Sequence, residues 1–243
     1  MQSTHVRNKF ALLGYQITVL LLFVSGLSYG QHFAWAKRNN PEYDRRKISY
    51  GFMIGAHTSA YQLKYSDKFV TQNFDTVHSV QGSFTAGFSL GFLINLRLNE
   101  VLDLRVMPKA GFYNHKLNYY YTNNTSKQVV VETTMYELPI LLKYKSMRRG
   151  NVRMYMIGGF TPGLEASGKN DIQSTTASLE IKGMNLSLDA GLGFDFYFPL
   201  FKFSQEIRFS KGLTNMLGSN SSVYAAPIKE LNTNTISVYF IFQ

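Results

Sequence analysis

The chain has 243 residues and a formal net charge of +10, with 15% aromatic and only 16% charged residues. It contains no cysteine, which excludes disulfides and thiolate-ligated zinc or iron–sulfur sites. No window of about twenty apolar residues follows the N-terminal segment, so a helical membrane protein is not expected. Composition alone is compatible with a soluble β-sandwich or with a transmembrane β-barrel, whose signal per strand is weak.

Residues 1–30 have the pattern of a secretory signal peptide. Arg7 and Lys9 provide its positive start, residues 17–24 form its apolar centre, and Ser28 and Gly30 supply small residues before a cleavage site. An uncleaved anchor helix is the alternative interpretation. Cleavage would remove both bases and leave a charge of +8. A secreted chain rarely meets nucleic acid, so we do not expect it as a partner. Lipid phosphates or an acidic protein surface are the expected partners of this positive charge.

Residues 31–47 form a polar, basic stretch without hydrophobic periodicity. Its charged residues are Lys37, Arg38, Arg45, Arg46 and Lys47 against Glu42 and Asp44. We interpret the stretch as a basic periplasmic N-terminal extension that makes a partner contact. A disordered tail is the alternative.

Three segments follow in which apolar and polar residues alternate with the two-residue period of a strand. They are residues 48–61, 82–95 and 102–120, and a long polar connection, residues 63–81, separates the first two. The polar face of residues 82–95 carries mainly small side chains, which suit the crowded interior of a narrow barrel.

The fourth segment begins near Val129, and its residues 134–145 indicate a membrane most clearly. Tyr136 and Tyr144 stand at the two ends of its apolar face, about 26 Å apart at roughly 3.3 Å per residue. After tilting, that length fits the apolar band of an outer-membrane barrel. Glu137 and Lys143 lie on the other face, where charges require a polar interior and not lipid.

Four further alternating segments cover residues 153–164, 184–198, 202–211 and 233–243, and Gln205 is a polar exception on an apolar face. The connections alternate between long and short, as in outer-membrane barrels with long extracellular loops and short periplasmic turns. We therefore predict an all-β fold, an eight-stranded antiparallel up-and-down transmembrane β-barrel of the outer membrane. The barrel would span residues 48–243, with both termini periplasmic.

The predicted inward positions include nine charged residues of nearly balanced sign. They are Asp103, Arg105, Lys109, Glu137, Lys143, Asp189, Asp195, Glu206 and Arg208. Side chains fill a barrel of eight strands, and an unpaired buried charge is costly, so we expect these residues to pair with one another. A structural salt-bridge network is favoured over a selective ion path.

No catalytic, cofactor-binding or metal site emerges from the sequence. No pair among the five histidines has the spacing of zinc ligands on a predicted strand face. Gly158, Gly159, Gly191 and Gly193 are strand glycines, because no strand–loop–helix context surrounds them. We predict no enzymatic activity, no cofactor and no evident small-molecule substrate.

Several motifs carry a resemblance to a known family. They are the basic entry into the first strand (residues 43–52), the segments 136–144, 157–159, 191–197 and 201–203, and the ending at 240–243. Together they resemble the PorT (SprT) family of Bacteroidetes outer-membrane proteins, within the broader group of eight-stranded outer-membrane barrels. The similarity covers nearly all of the chain after residue 30.

The resemblance implies a non-enzymatic component of the type IX secretion system, which exports proteins across the outer membrane and supports gliding motility in some species. It implies other type IX components as partners, in addition to outer-membrane lipid. The sequence offers five bases as the candidate periplasmic partner contact: Arg45, Arg46, Lys47, Arg148 and Arg149. A stand-alone small porin or adhesin-like barrel is the alternative function.

Overall fold

The computed structural model describes residues 39–66, 77–123, 125–166, 182–218 and 227–243. The predicted signal peptide and residues 31–38 of the predicted extension lie outside these ranges. Within them the chain is almost entirely antiparallel strand, with a short 3-10 helix at Pro41–Arg45. None of the described helical structure is long and apolar enough to cross a membrane.

In the described part of the chain, eleven strand segments form one sheet. They are β1 (Ile48–Tyr65), β2 (Val77–Ser83), β3 (Thr85–Arg97), β4 (Leu102–Val106), β5 (Lys109–Tyr121), β6 (Ser126–Glu137), β7 (Ile140–Lys145), β8 (Val152–Glu165), β9 (Met184–Tyr197), β10 (Lys202–Gly212) and β11 (Ile228–Phe242).

The eleven segments amount to eight spans, because three spans are each divided in two. Between β2 and β3 the register with β5 shifts by one residue, which marks a bulge at Phe84. The other two divisions fall at Pro108 and Pro139, where proline supplies no N–H to the ladder. The register is the same on both sides of these prolines. The predicted all-β antiparallel barrel is confirmed, and its strand segments are more numerous than predicted.

The sheet closes on itself, because β1 pairs with β3 on one side and with β11 on the other. Partner residues can be followed around the whole ring: Tyr50, Ile94, Val106, Ile140, Phe160, Leu188, Lys211, Asn234 and Ala60. The circuit returns to β1 ten residues further along, from Tyr50 to Ala60. For eight spans this stagger corresponds to a strand tilt of about 40°, within the range of closed barrels.

The outer surface of the barrel is a belt of exposed apolar side chains. Phe92 is 70% exposed, Ile207 62% and Leu192 56%. A belt of this size would aggregate in water, whereas lipid is the solvent that suits it. The inward side chains on the same strands are mainly polar or charged and buried, which reverses the arrangement of a water-soluble protein.

The two ends of the barrel differ. We call the end with the connections 98–101, 146–151 and 198–201 the short-turn end, and the opposite one the long-loop end. The sequence predicted that every connection at the long-loop end is long. This prediction was wrong for the connection between β5 and β6, which comprises only residues 122–125. The strand β5 ends at Tyr121, one residue from the predicted boundary, whereas β6 begins at Ser126, earlier than predicted.

At the long-loop end, β1, β2, β5 and β11 continue past the apolar belt and enclose a hydrophobic cluster. Its buried members are Tyr61, Val80, Leu117, Tyr119, Met216, Ile228 and Leu231. The sequence analysis assigned residues 63–81 to a polar connection and so missed β2 and the end of β1. The cluster explains why these strand ends are ordered outside the belt, since it gives them a small core of their own.

Candidate functional site

Buried ion pairs cross the lumen of the barrel. Nζ of Lys143 lies 2.6 Å from Oδ2 of Asp195, and neither side chain is more than 1% exposed. Nη1 of Arg105 lies 2.8 Å from Oε2 of Glu206, with both side chains fully buried. Arg105 on β4 and Glu206 on β10 tie opposite walls of the barrel together, whereas Lys143 on β7 and Asp195 on β9 bridge over the single strand between them, β8.

Glu206 is the central acceptor of this network. It accepts hydrogen bonds from Arg105, from Arg208 and from the hydroxyl of Tyr155, at 2.8 Å, 2.5 Å and 2.9 Å. Arg208 also approaches Asp189, with 3.9 Å between Nη1 and Oδ2. Because every carboxylate oxygen of Glu206 is occupied, this residue is committed to structure and is not available as an acid or base.

A third pair lies nearer the long-loop end. Nζ of Lys109 is 2.6 Å from Oε2 of Glu137, which also accepts a hydrogen bond from the hydroxyl of Tyr113 at 2.7 Å. Thus the structure brings all nine predicted interior charges into the lumen. Eight of them lie in the three clusters described so far, and the ninth, Asp103, has a partner that the sequence analysis did not name.

That partner is Lys145, whose Nζ lies 2.6 Å from Oδ1 of Asp103. With Lys145 and the buried Lys202 of β10 included, the interior set holds five acids and six bases. The sequence contained the signal, because Lys145 is two residues after Lys143 and therefore shares its inward face. Tyr155 and Tyr239 were missed in the same way. Nζ of Lys143 stands 3.6 Å from the ring centroid of Tyr155, and the guanidinium carbon of Arg208 stands 4.4 Å from that of Tyr239.

The lumen between this network and the long-loop end contains a polar cavity of about 40 Å³. Lys109, Glu137 and Asp189 line it, and eight of its eighteen lining residues are serines or threonines from several strands. Met135, Met216 and Tyr61 contribute the apolar part of the lining. The sequence analysis did not anticipate this cavity, since its existence depends on how far side chains from opposite walls reach.

At the short-turn end, residues 39–47 fold against the base of the barrel, and we call them the N-terminal clamp. Tyr43 of the 3-10 helix is 6% exposed and packs edge-on against Tyr197. Asp44 accepts a hydrogen bond from Nη1 of Arg153 at 3.0 Å and another from the Tyr197 hydroxyl at 2.8 Å. These contacts give the part of the predicted extension that the structure describes a defined position, where the alternative was a disordered tail.

Of the five bases predicted to contact a partner, the structure places one inside the fold. The Arg148 side chain is 5% exposed, pairs with Asp44 at 3.5 Å, and stacks on Tyr197 with its guanidinium carbon 3.7 Å from the ring centroid. It also donates to the carbonyl oxygen of Asn39. Treating Arg148 as an exposed contact was therefore wrong, because its charge is used to hold the clamp.

The other four bases, Arg45, Arg46, Lys47 and Arg149, are exposed at the short-turn end. Arg45 makes one ion pair with Glu42 at 3.2 Å, and both side chains remain more than two-thirds exposed. Such a pair is too solvated to neutralise the surface. The clamp and the connection after β7 thus bring four cations to the same end of the molecule.

Comparison with known proteins agrees with the barrel architecture. A family model described as "Outer membrane protein beta-barrel domain" matches residues 30–218, most of the chain. The chain belongs to the outer membrane protein β-barrel domain family. Membership places this barrel in the outer membrane and accounts for its apolar belt. A search of curated proteins gives no match.

Among solved structures, this outer-membrane barrel is similar to the outer membrane protein OprG from Pseudomonas aeruginosa. The TM-score is 0.51 at 12% identity, with 81% of this chain and 96% of that chain covered. Neisserial surface protein A matches with a TM-score of 0.43 at 12% identity, over 81% of this chain and 98% of that chain. The outer membrane enzyme PagL matches with a TM-score of 0.37 at 8% identity, over 78% of this chain and 97% of that chain. At these identities the likeness to OprG shows the fold alone.

Proposed function

We propose that this barrel is a non-enzymatic component of the type IX secretion system that works through contacts at its short-turn end. The observation that carries the proposal is the N-terminal clamp, which presents three exposed cations and stands beside a fourth, Arg149. Clustered charges of one sign steer and orient an acidic partner, although each exposed pair contributes little. The resemblance of the chain to the PorT family supplies the process in which that partner acts.

The proposed orientation puts the short-turn end and both termini in the periplasm. Short periplasmic turns and longer extracellular loops are the general rule for barrels of the outer membrane. A partner that contacts the clamp would then be a periplasmic or membrane-bound secretion component. The bacterial group that the resemblance implies is Bacteroidetes, in which the system also supports gliding.

The buried network supports an accessory role over a transport role. Lys143, Asp195, Arg105 and Glu206 are buried side chains that meet in the middle of the lumen, where a porin has its channel. The same network also speaks against catalysis, because its carboxylates are paired. A stand-alone porin or adhesin-like barrel remains the second candidate, and the cavity near the long-loop end is the observation that favours it.

A charge-reversal experiment separates the two functions. Changing Arg45, Arg46 and Arg149 to Glu should abolish secretion while the barrel stays in the outer membrane at normal abundance. The matched control reverses three lysines near the long-loop end, Lys116, Lys182 and Lys211, and should leave secretion intact. The measurements are a census of secreted proteins and the amount of barrel in isolated outer membranes. Loss of secretion in the control alone would refute the proposal.

A further inference from the structure

A smaller cavity, of about 20 Å³, lies between the N-terminal clamp and the lumen at the short-turn end. Tyr43 of the clamp lines it on one side, and Lys202, the first residue of β10, lines it from the barrel wall. Lys202 is only 4% exposed, and its ammonium group has neither an ion pair nor a hydrogen bond with a described residue. Its Nζ stands 4.5 Å from the ring centroid of Tyr43. The ring attracts the charge but accepts none of the three hydrogen bonds that an ammonium group can donate.

The charges of the lining are out of balance toward the positive, with five bases and three acids. Each acid already has a base 2.6–3.0 Å away: Asp103 has Lys145, Asp44 has Arg153, and Asp195 has Lys143 of the central network. Arg46, Arg97 and Lys202 are the bases of the lining that have no paired acid in the described part of the chain. An anion in this cavity would therefore meet free positive charge, whereas a cation would find every acid taken.

The polar atoms of the lining that lack a partner are donors as well. The hydroxyl of Tyr43 and Nε of Arg153 are both buried without a hydrogen-bond partner among the described residues. An acceptor without a donor, Oε1 of Gln243, belongs to a side chain that donates to Ser49 of the lining at 3.4 Å but does not itself line the cavity. A neutral amide oxygen does not offset a charge. Buried donors without acceptors are costly, so the cavity requires acceptor atoms together with negative charge.

We propose that this cavity binds one carboxylate group. One oxygen of the carboxylate accepts from Nζ of Lys202, and the other accepts from the Tyr43 hydroxyl. Because that hydroxyl is attached to the ring beside which Nζ stands, the two donor atoms are at most about 7 Å apart, a gap that a carboxylate spans with two hydrogen bonds of about 2.8 Å. The guanidinium carbon of Arg46 is 5.3 Å from the same ring centroid and adds a second positive charge.

The size and position of the cavity limit the ligand further. A volume of about 20 Å³ has room for little more than the carboxylate itself, which disfavours a phosphate or a sugar acid. Arg46 is exposed and Arg97 is half-buried, so the cavity reaches the surface at the short-turn end. The carboxylate can belong to a free small acid or to an acidic side chain of a protein. In the second case the site is part of the partner contact proposed above, and that assignment rests on the proposed function.

Acetate is the probe that tests the proposal, and acetamide, which has the same shape without the charge, is its matched control. The full barrel, refolded in non-ionic detergent micelles with isotope-labelled backbone amides, is titrated with each at constant ionic strength. Acetate should shift the amide resonances of Tyr43 and Lys202 in a saturable manner, and acetamide should not. Equal shifts from acetamide, or no saturable shift from acetate, would overturn the proposal.

Variants show whether the two donors recognise the carboxylate. Lys202→Met should weaken acetate binding about tenfold or more, the loss expected for a charge-assisted hydrogen bond, and Tyr43→Phe should weaken it several-fold. Lys211→Met is the matched control, because Lys211 is an exposed base on the same strand and does not line the cavity. Tyr43→Phe keeps the ring that packs on Tyr197, so it keeps the test valid if Lys202→Met fails to fold. Equal weakening by Lys211→Met would mean that overall charge, and not this site, attracts acetate.

A second probe distinguishes the two sources of the carboxylate. Aspartate blocked at both ends as N-acetyl-aspartate methylamide presents its side-chain carboxylate as a protein does. Saturable shifts of the Tyr43 and Lys202 amides by this compound would assign the site to an acidic side chain of a partner. Shifts by acetate alone would assign it to a free small acid. Both titrations use the purified barrel, so they test the site even if the proposed role in secretion fails.

Discussion

Lys143 and Asp195 form an ion pair that solvent does not reach, and the effect of removing one partner can be predicted. Lys143→Met leaves Asp195 as a buried anion that keeps only the hydrogen bond from Ser204. Breaking a buried pair in this way costs about 3–5 kcal/mol. We expect the urea midpoint of the refolded barrel to fall accordingly.

The control for this change is Lys211→Met, which removes a charge of the same kind from an exposed position on β10. Its midpoint should stay close to that of the unaltered protein. A second comparison is Lys143→Met combined with Asp195→Leu. Replacing both partners by apolar groups should recover most of the lost stability, because no buried charge is then left alone. Equal stability of Lys143→Met and the unaltered chain would show that water reaches Asp195.

Residue by residue, alternation located the interior charges but not their partners. Parity along a strand decides which side chains point inward, and this is a local property that the sequence contains. Lys109 meets Glu137 because the register of β5 with the neighbouring β6 places them opposite each other, whereas Arg105 and Glu206 meet across the lumen only when the sheet closes. Arg148 illustrates the second limit, since nothing in its neighbourhood in the sequence indicates that Asn39 and Asp44 return to meet it.

Asp44 is the carboxylate through which the N-terminal clamp pairs with Arg148 and Arg153 at the base of the barrel. Asp44→Asn keeps the size of the side chain but removes the charge that faces Arg153 and Arg148. We expect the clamp to be released from the barrel base without loss of the barrel. Limited proteolysis should then cut at Arg45 or Arg46 faster than in the unaltered protein. Glu42→Gln is the control, because Glu42 pairs only with the exposed Arg45. Unchanged cleavage would mean that the packing of Tyr43 suffices.

Strand β11 contributes aromatic side chains to the seam where the barrel closes. The rings of Phe242 and Phe52 stack with centroids 5.0 Å apart, and Phe203 lies equally close to Phe242 on the other side. Changing Phe240 and Phe242 to Ser should open the apolar belt at the seam and lower the amount of protein in the outer membrane. Aromatic contacts of this kind are worth about 0.5–1.5 kcal/mol each beyond their burial.

The matched control for the seam is Phe84→Ser, since Phe84 is 66% exposed and lies at the bulge between β2 and β3. Quantitative blotting of outer-membrane fractions measures the amount of barrel in the seam variant and in the Phe84→Ser control. A normal amount of barrel after the double change at the seam would show that the aromatic side chains of β11 are not needed for assembly of the barrel in the outer membrane.

At the scale of elements, the sequence located all eight spans and misjudged their ends. The alternation of apolar and polar residues can be read within each strand alone, so the sequence was enough to locate the spans. The bulge at Phe84, the additional segment β2 and the earlier start of β6 depend on pairing with neighbours and on the hydrophobic cluster outside the belt. The clamp was unexpected because its few residues have no periodicity and take their position from contacts with Arg148, Arg153 and Tyr197, which are distant in sequence.

As a whole molecule, the barrel should not conduct ions. Eight spans with a stagger of ten residues enclose a lumen that side chains fill, and the ion pairs occupy its middle. Planar-bilayer recording of the purified protein should show no steady channel. The matched variant, Arg105→Ser with Glu206→Ser, shortens both members of the pair that meets at 2.8 Å and should raise the leak. Reproducible large conductance of the unaltered protein would favour the porin candidate.

The closure between β1 and β11 also has a consequence for how the chain is made. Phe52, near the start of the first span, finds its partner Phe242 only after every other span has been synthesised. Until then β1 keeps one bare edge, and the newest strand keeps another, so an interrupted chain is an open ribbon and not a smaller barrel. Bare edges recruit strands from other chains, and pairings so distant in sequence form slowly. During this interval both edges are open to pairing with other chains, and we expect a chain that stops before β11 to aggregate.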